Sequence, residues 1–435
     1  MEKVFKLKAH GTTFQREIIA GCTTFLTMAY ILAVNPEMLG SIGNGMTPHA
    51  VFTATVIASV IATLFMAFTA NLPIALAPGM GLNAFFTFTV VGSMGYTWQL
   101  ALTAVFVEGI VFVLLSLFKV REAIINAIPS NLKRSVAVGI GLFIALIGFS
   151  NAGIVVGDAG TIIGLTDNVT SGEPFLALLG FIIMIVLYTL RFPGAILIGI
   201  IITTILGIPF GITKVPESWS PFSAPHAPLF LQFDFAPKSI LTMKFFTVFF
   251  TFLFVDIFDT VGTLVGVTTQ AGLIGKDGKI PRVREALLAD AFGTVAGAAL
   301  GTSTVTSYVE STAGTAAGGR TGLTSLTVAV LFLVALFFSP IFLLIPSAAT
   351  APALIMVGYL MLKPVTSIDF VDPTEGIPAF LTIIMMPFAY SIAEGIMYGI
   401  ISYVILKLAV NRHKDISVVT WVLFIIFLLR FLLPK

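Results

Sequence analysis

Residues 75–86 read ALAPGMGLNAFF, an apolar stretch in which Pro78, Gly79 and Gly81 interrupt any helix. A helix can resume only near Leu82, which places Asn83 in its first turn. Inside a membrane, such irregular backbone survives only where it is buried in protein or lines a cavity. Whether the stretch lies in a membrane depends on the composition of the chain around it.

The composition is that of a membrane protein. Of the 435 residues, 57% are hydrophobic and only 10% are charged, whereas soluble domains have roughly 25% charged residues. A water-soluble protein could not cover its surface with so few charges. The same figures exclude a disordered chain, a collagen-like rod and a coiled coil. The chain is therefore expected to cross a lipid bilayer several times.

A bilayer-spanning helix needs about 20 mostly apolar residues. The apolar pattern predicts fourteen spans, two of them short, near residues 17–36, 50–70, 82–92, 97–118, 133–150, 174–190, 193–211, 243–268, 284–300, 307–318, 322–338, 350–362, 377–392 and 393–410. Around them we expect an N-terminal segment at 1–16, a connecting loop at 212–242 and a C-terminal tail at 411–435. Within this tail, residues 416–429 are too few for a full span and predict an interfacial or extra helix.

Basic residues give the orientation. Lys and Arg occur in the N-terminus, at 119–134, 191, 276–284, 320, 363 and 407–414, whereas the opposite-side segments 37–49 and 151–173 have none. By the positive-inside rule, we expect the N-terminus in the cytoplasm and the protein in the cell membrane. The long loop with Lys214, Lys238 and Lys244 departs from the rule, which long loops obey less well.

The two halves of the chain echo each other. Ile128-Pro129-Ser130 recurs as Ile345-Pro346-Ser347, and the broken stretch has the counterpart LGTSTVTSYVES at 300–311. In that counterpart, a hydroxyl-rich, β-prone tract precedes a helix expected to start near Ser307, with Glu310 in its first turn. Because seven spans per half is an odd number, the halves 17–211 and 243–410 are expected to be inverted repeats. Paired broken spans in two halves are a sequence pointer to a transporter binding site.

Acidic residues inside the spans are few and costly to bury. Asp256 and Asp259 are three residues apart, share a helix face, and are expected to lie near Glu310. Such a pair can take up and release a proton, which couples a carrier to a proton gradient. The alternative is that one or both only cap polar backbone. Solvated or structural roles are expected for the remaining acidic residues of the spans, which are Glu108, Asp290 and Glu394.

Other kinds of site find little support. Cys22 is the single cysteine, which excludes an intrachain disulfide. The four histidines lack metal-ligand spacing, and there is no GxxxxGK[ST] phosphate loop for ATP. A net charge of +2 gives no hint of nucleic acid. We expect no cofactor, no metal and no nucleic-acid partner.

Four motifs resemble those of the AzgA-type purine permeases, in the nucleobase–ascorbate transporter superfamily. They are TTFLTMAYILAVNP (23–36), APGMGLNAFF (77–86), FVDIFDTVGT (254–263) and GTSTVTSYVESTAG (301–314). The resemblance covers about residues 12–412 and implies an all-α polytopic fold of fourteen spans, in two inverted seven-span repeats that form a core and a gate domain. It also implies short β-like segments in the broken third and tenth spans, substrate bound between them, and uptake of hypoxanthine, guanine or adenine with protons.

The resemblance carries roles to individual residues. The third-span asparagine of the family matches Asn83, its eighth-span acidic pair matches Asp256 and Asp259, and its tenth-span glutamate matches Glu310. Tyr308 takes the place of an aromatic residue that lines the pocket of related uracil carriers. The eighth-span histidine of those carriers has no counterpart here, so the proton route is left to the Asp pair.

The chemistry of these side chains suits a purine. Ionised Glu310 can accept hydrogen bonds from N1–H and the exocyclic amine of guanine, or from N1–H of hypoxanthine, whereas adenine presents a bare acceptor. Asn83 can both donate and accept. Tyr30, Phe85 and Phe86 can stack on the ring. We therefore predict a proton-coupled purine symporter rather than an enzyme.

Two alternatives remain. An anion or carboxylate exchanger or channel of the same fold would use two helix N-termini, but the carboxylates oppose it. An intramembrane aspartyl protease needs carboxylates on facing helices, whereas Asp256 and Asp259 share one helix. The sequence leaves open which purine is preferred, the proton stoichiometry, and whether the working unit is a homodimer.

Overall fold

The structure, a computed structural model, describes residues 2–117, 129–158, 160, 162–274 and 280–432. Its α-helices are α1 Glu2–Phe5, α2 Phe14–Met28, α3 Ile31–Gly40, α4 Pro48–Phe65, α5 Met80–Ala84, α6 Trp98–Leu117, α7 Ser130–Asn151, α8 Gly172–Thr189, α9 Ala195–Gly207, α10 Pro237–Ile240, α11 Met243–Gln270, α12 Val283–Leu300, α13 Ser311–Ala316, α14 Gly322–Ala335, α15 Ser339–Leu343, α16 Ser347–Leu360, α17 Pro373–Phe388, α18 Ile392–Ala409 and α19 Val418–Leu432. The strands are β1 Leu76–Pro78, β2 Val155–Asp158, β3 Ile162–Leu165 and β4 Val305–Ser307. Helices α4 and α5 continue as π-helix over Met66–Ala70 and Phe85–Ser93.

The helices have the length and composition of membrane spans. Within the described ranges, nine helical stretches are long and apolar enough to cross a bilayer: Phe14–Gly40, Pro48–Ala70, Trp98–Leu117, Ser130–Asn151, Gly172–Thr189, Met243–Gln270, Gly322–Leu343, Ser347–Ser367 and Ile392–Ala409. A helix lies in each of the predicted spans, although α13 has only six residues. The predicted helix of the C-terminal tail is α19. Parts of the predicted basic loops (119–128 and 276–279), Ile128 of the repeat and the tail residues 433–435 lie outside the described residues.

The helices pack in two groups. In the first group, α12 packs against α4 and α6, and α14 packs against α2 and α4. In the second group, α16 and α17 pack against α7, while α8 packs against α9 and α16. Both groups combine helices from both halves of the chain, and the division into core and gate domains stays a prediction. The inverted repeat itself stays a prediction.

Two three-residue strands pair among the helices of the first group. Strands β1 and β4 pair antiparallel, with Ala77 opposite Thr306, and all six residues are buried. The pairing continues on both sides, because Gly79 N–H donates to the carbonyl oxygen of Thr304 (3.0 Å) and Tyr308 N–H donates to that of Ala75 (2.9 Å). Strand pairing thus satisfies backbone groups that have no helix to serve them.

This pairing corrects the predicted starts of both half-helices. Helix α5 begins at Met80 rather than near Leu82, although Asn83 does lie in its first turn. Helix α13 begins at Ser311 rather than near Ser307, so Glu310 stands at the N-cap position and not in the first turn. The backbone around Ser307 pairs with β1, and the helix can start only after that pairing ends.

Buried carboxylates from neighbouring helices hold β4 in place. Glu108 on α6 accepts a hydrogen bond from the hydroxyl of Thr304 (2.8 Å). Asp290 on α12 accepts from the N–H (2.9 Å) and the hydroxyl (3.2 Å) of Ser307. Both carboxylates are fully buried. Of the two roles expected for Glu108 and Asp290, the structural role therefore fits and the solvent-exposed role does not.

A buried ion pair ties the second group together. The ammonium of Lys407 on α18 is completely buried and lies 2.8 Å from the carboxylate of Glu375 on α17. Asn131 on α7 donates to the same carboxylate at 3.3 Å. Breaking such a pair leaves an uncompensated buried charge, which costs about 3–5 kcal/mol. The three helices are therefore joined at one end.

Candidate functional site

A cavity of about 690 Å³ lies where the broken stretches of the first group face the second group. Its wall includes Gly79, Met80, Gly81 and Leu82 from the first broken stretch, Thr306, Ser307, Tyr308, Val309 and Glu310 from the second, Tyr30 from the α2–α3 junction, and Asp259 from α11. On the opposite side, α7 contributes Val136, Ala137 and Ile140, and α16 contributes Val357 and Leu360. Most of this wall is apolar. The acidic groups, Asp259 and Glu310, lie at or beside the broken stretches, whereas basic and hydroxyl side chains line another part of it, at Lys133, Arg134, Lys363, Thr366 and Ser367.

The polar end of the cavity is built around Glu310. The hydroxyl of Tyr30 donates to Oε1 of Glu310 at 2.7 Å. The hydroxyl of Tyr308 donates instead to the carbonyl oxygen of Pro78 at 2.6 Å, which joins the two broken stretches. Both tyrosines are almost completely buried, whereas Glu310 is partly exposed. A carboxylate in the wall of a cavity, held by a buried tyrosine, can accept N–H groups from a ligand.

The two aspartates of α11 have different surroundings. Asp259 lines the cavity, and the carboxylates of Asp290 and Glu310 are near enough to act on it electrostatically. Asp256 is fully buried and does not line the cavity. The hydroxyl of Thr260 lies 3.4 Å from Oδ1 of Asp256 and 2.8 Å from Oδ2 of Asp290. Asp256 therefore belongs to the polar network behind the wall.

Asn83, Phe85 and Phe86 also lie behind the wall. Asn83 is fully buried and its Oδ1 accepts a hydrogen bond from Ser303, while its Nδ2 has no hydrogen-bond partner among the described residues. Phe85 packs edge-on against Phe252, with 4.9 Å between the ring centroids. The structure thus brings Tyr30, Asp259, Tyr308 and Glu310 together around one space, and places Asn83, Asp256, Phe85 and Phe86 one layer deeper.

Three cations of the cavity wall were not predicted as site residues from the sequence. Lys133 and Arg134 on α7 and Lys363 after α16 line its rim. Their signal was present in the basic clusters, which were used for orientation alone. Within the described residues, no three His, Cys, Asp or Glu side chains are grouped as a metal ion would require.

Known proteins resemble this chain over nearly its whole length. The model of the Permease family (Xan_ur_permease) matches residues 15–398. A putative permease of Methanocaldococcus jannaschii is 50% identical over 99% of this chain and 98% of its own. The guanine/hypoxanthine permease PbuG of Bacillus subtilis is 45% identical over 100% of both chains. The adenine permease AdeQ of Escherichia coli is 43% identical over 100% of this chain and 96% of its own.

A solved structure supports the architecture. The transmembrane domain of the cyanobacterial bicarbonate transporter BicA matches with a TM-score of 0.65, over 88% of this chain and 97% of that one. At 18% identity this likeness shows the fold alone, and it confirms a helical multi-span membrane protein. The family match confirms the resemblance that the four motifs indicated. The chain belongs to the Xan_ur_permease family, and the protein is a membrane transporter rather than an enzyme.

Proposed function

We propose that the protein imports purine nucleobases, preferring guanine and hypoxanthine, together with protons. Purines are supported by the names of two full-length relatives, a guanine/hypoxanthine permease and an adenine permease. Because the two relatives are almost equally similar to this chain, at 45% and 43% identity, similarity does not choose between their substrates. The choice rests on the chemistry of the cavity.

The carboxylate of Glu310 in the cavity wall is the observation that carries the proposal. Tyr30 engages Oε1 of this carboxylate and orients it towards the cavity. A carboxylate accepts the paired N–H groups of guanine or the N1–H of hypoxanthine, whereas N1 of adenine is itself an acceptor. A buried site built for N–H donors discriminates strongly against a ligand that lacks them. Adenine is therefore expected to be the poorer substrate.

Asp259 is the residue that we propose for proton coupling. It borders the cavity near Glu310, where a proton can reach it together with the substrate. Asp256 is enclosed in the network of Thr260 and Asp290, so its role in our proposal is to position the broken stretches. Asn83 supports the same stretches through Ser303.

The proposal includes the orientation. The cations at the cavity rim belong to the clusters that the positive-inside rule assigns to the cytoplasm. With a cytoplasmic N-terminus and fourteen spans in two inverted repeats, the cavity opens towards the cytoplasm. The antiparallel pairing of β1 with β4 agrees with an inverted relation between the halves. An anionic cargo, as in an exchanger of the same fold, is disfavoured because Asp259 and Glu310 would repel it at the broken stretches.

Uptake into proteoliposomes tests the proposal. Labelled guanine, hypoxanthine and adenine are offered with and without an inward proton gradient. We expect gradient-dependent accumulation of the two oxopurines, suppressed by unlabelled guanine. Accumulation of adenine alone would contradict the proposed role of Glu310, and uptake of bicarbonate or sulfate in place of any purine would favour the anion alternative.

A further inference from the structure

The cavity is electrically polarised along its length. Asp259 and Glu310 carry its acidic groups at the broken stretches, whereas Lys133, Arg134 and Lys363 line the rim. Arg134 and Lys363 are exposed, and the guanidinium of Arg134 donates to the carbonyl oxygen of Ser367, which fixes it at the rim. A neutral nucleobase at the acidic end makes no use of these cations.

The distance between the two ends follows from α7. Ile140 touches the first broken stretch, because a Cβ atom added to Gly81 would lie 2.7 Å from its Cγ2. Lys133 precedes Ile140 by two helical turns, which corresponds to about 10 Å along the helix. Both residues line the cavity, so the backbone of Lys133, and of Arg134 next to it, lies roughly that far along the helix from the level of the broken stretches.

The volume also exceeds what a nucleobase needs. The cavity measures about 690 Å³, in the range of about 300–1,000 Å³ that holds drug-sized ligands. A bicyclic base at Glu310 leaves the space beneath the rim unfilled. A base extended by a ribose and a phosphate reaches across this space towards the rim.

We propose that a purine nucleoside monophosphate enters from the rim and blocks transport, with its base at Glu310 and its phosphate at Arg134, Lys363 and Lys133. The proposal rests on the proposed function for the position of the base. A phosphate carries about −1.5 to −2 charges at neutral pH, and Arg and Lys are its usual partners. The nucleotide is too polar at its phosphate end to pass the apolar wall, so it holds the cavity open.

This binding would connect transport with the use of the base. A reaction that transfers a phosphoribosyl group from an activated phosphoribosyl diphosphate to a ring nitrogen of the imported base, with release of diphosphate and a proton, forms the nucleoside monophosphate. If the rim faces the cytoplasm, accumulation of that product slows the entry of its own precursor.

Competition in proteoliposomes of neutral lipid tests the proposal. Uptake of labelled guanine is measured with GMP, guanosine or inorganic phosphate on either face of the membrane. From the rim face, GMP should inhibit at about tenfold lower concentration than guanosine, because the phosphate adds charge-assisted hydrogen bonds. The same potency for GMP and guanosine would overturn the proposal.

Charge-neutralising variants locate the phosphate. In the double variant Arg134→Gln/Lys363→Gln, the advantage of GMP over guanosine should disappear, with each inhibition measured relative to the guanine uptake of the same variant without nucleotide. Lys414→Gln is the matched control, because Lys414 is exposed and does not line the cavity. An advantage of GMP that survives the double substitution would overturn the proposal.

The phosphate of a lipid headgroup can bind the same cations. Liposomes of a second lipid composition distinguish a lipid phosphate from a nucleotide phosphate. If the double substitution changes guanine uptake only in liposomes with phosphatidylglycerol, and GMP has no advantage in neutral lipid, the cations bind lipid and the proposal is wrong. Direct binding of labelled GMP to the purified protein separates the two functions. Guanine uptake without GMP binding overturns this inference alone. GMP binding that depends on Arg134 and Lys363, without guanine uptake, supports it and overturns the proposed transport.

Discussion

At the scale of single residues, Tyr30 and Glu310 define the acidic end of the cavity. The phenol occupies Oε1 of the carboxylate at 2.7 Å and restricts its rotation. A fixed acceptor binds its ligand with less loss of conformational freedom than a mobile one. In our proposal, the pair therefore prepares the carboxylate for the N–H groups of the ligand.

Replacing Glu310 by Gln should abolish or severely weaken the binding of guanine and hypoxanthine. The amide removes the charge and one acceptor, so affinity should fall by at least about tenfold. Tyr30→Phe retains the carboxylate and should cost less. Equilibrium binding to purified protein measures both, with Glu173→Gln at an exposed position as the matched control. Unchanged affinity in Glu310→Gln would remove Glu310 from the site.

Replacing Asp259 by Asn should uncouple uptake from the proton gradient more than it weakens binding. The amide does not titrate near neutral pH and so cannot carry a proton in turn with the substrate, although it preserves the shape of the side chain. Exchange of labelled for unlabelled guanine should continue while accumulation driven by the gradient is lost. Accumulation that survives in Asp259→Asn but fails in Asp256→Asn would move the coupling role to the deeper aspartate.

At the scale of elements, the pairing of β1 with β4 sets where the two helices after the broken stretches, α5 and α13, begin. The Gly and Pro residues of one stretch and the hydroxyl-rich tract of the other predicted two breaks, and β-like segments at these breaks are present. The starts of α5 and α13 were missed because they depend on pairing with a segment far away in the chain. Glu108 and Asp290 illustrate the same limit, since each accepts a hydrogen bond from a distant segment, Glu108 from Thr304 just before β4 and Asp290 from Ser307 in β4.

Adding a methyl group at Gly79 should disturb this strand pairing. Its Cβ would lie 2.6 Å from Cγ2 of Thr306, which is closer than Cβ atoms normally approach a neighbour. We expect Gly79→Ala to cost about 1–3 kcal/mol of stability and to reduce transport. Thermal unfolding in detergent and guanine uptake measure these effects.

Two further variants test the cause of that loss. Thr306→Ser removes the obstructing methyl group and keeps the hydroxyl, which lies 2.9 Å from that of Thr260. The double variant Gly79→Ala/Thr306→Ser should therefore recover most of the loss. Gly266→Ala is the control, because nothing lies within 4 Å of a Cβ atom there. An equal loss of stability and uptake in Gly266→Ala would mean that the strand pairing is not the cause.

At the scale of the whole molecule, the cavity lies between two helix groups and opens at one end. Hydropathy predicted the helices well because each must be apolar to lie in lipid. The facing of α7 and α16 towards the broken stretches was not predictable from periodicity, since helices that are apolar all round show no preferred face. The rim cations were missed for the same reason, because only the packing places them on a cavity.

Cysteine labelling tests the direction of the opening. Val309 is half exposed in the cavity wall, and Leu165 in the β2–β3 hairpin lies in a segment predicted to be extracellular. In a Cys22→Ser background, an impermeant maleimide should label Val309→Cys from the cytoplasmic side and Leu165→Cys from outside. Guanine should slow labelling of Val309→Cys alone. Labelling of both positions from the same side would refute the proposed orientation.

The pairing of the two strands also has a consequence for the synthesis of the chain. Pro78 and Tyr308 meet although they are 230 positions apart. At synthesis rates of about 5–20 residues per second, the first strand waits about 10–50 s for the second to leave the ribosome. During that interval its backbone groups lie unpaired beside the bilayer, where irregular structure is costly. We therefore expect the nascent chain to be most sensitive to quality-control proteases until the second strand pairs with the first.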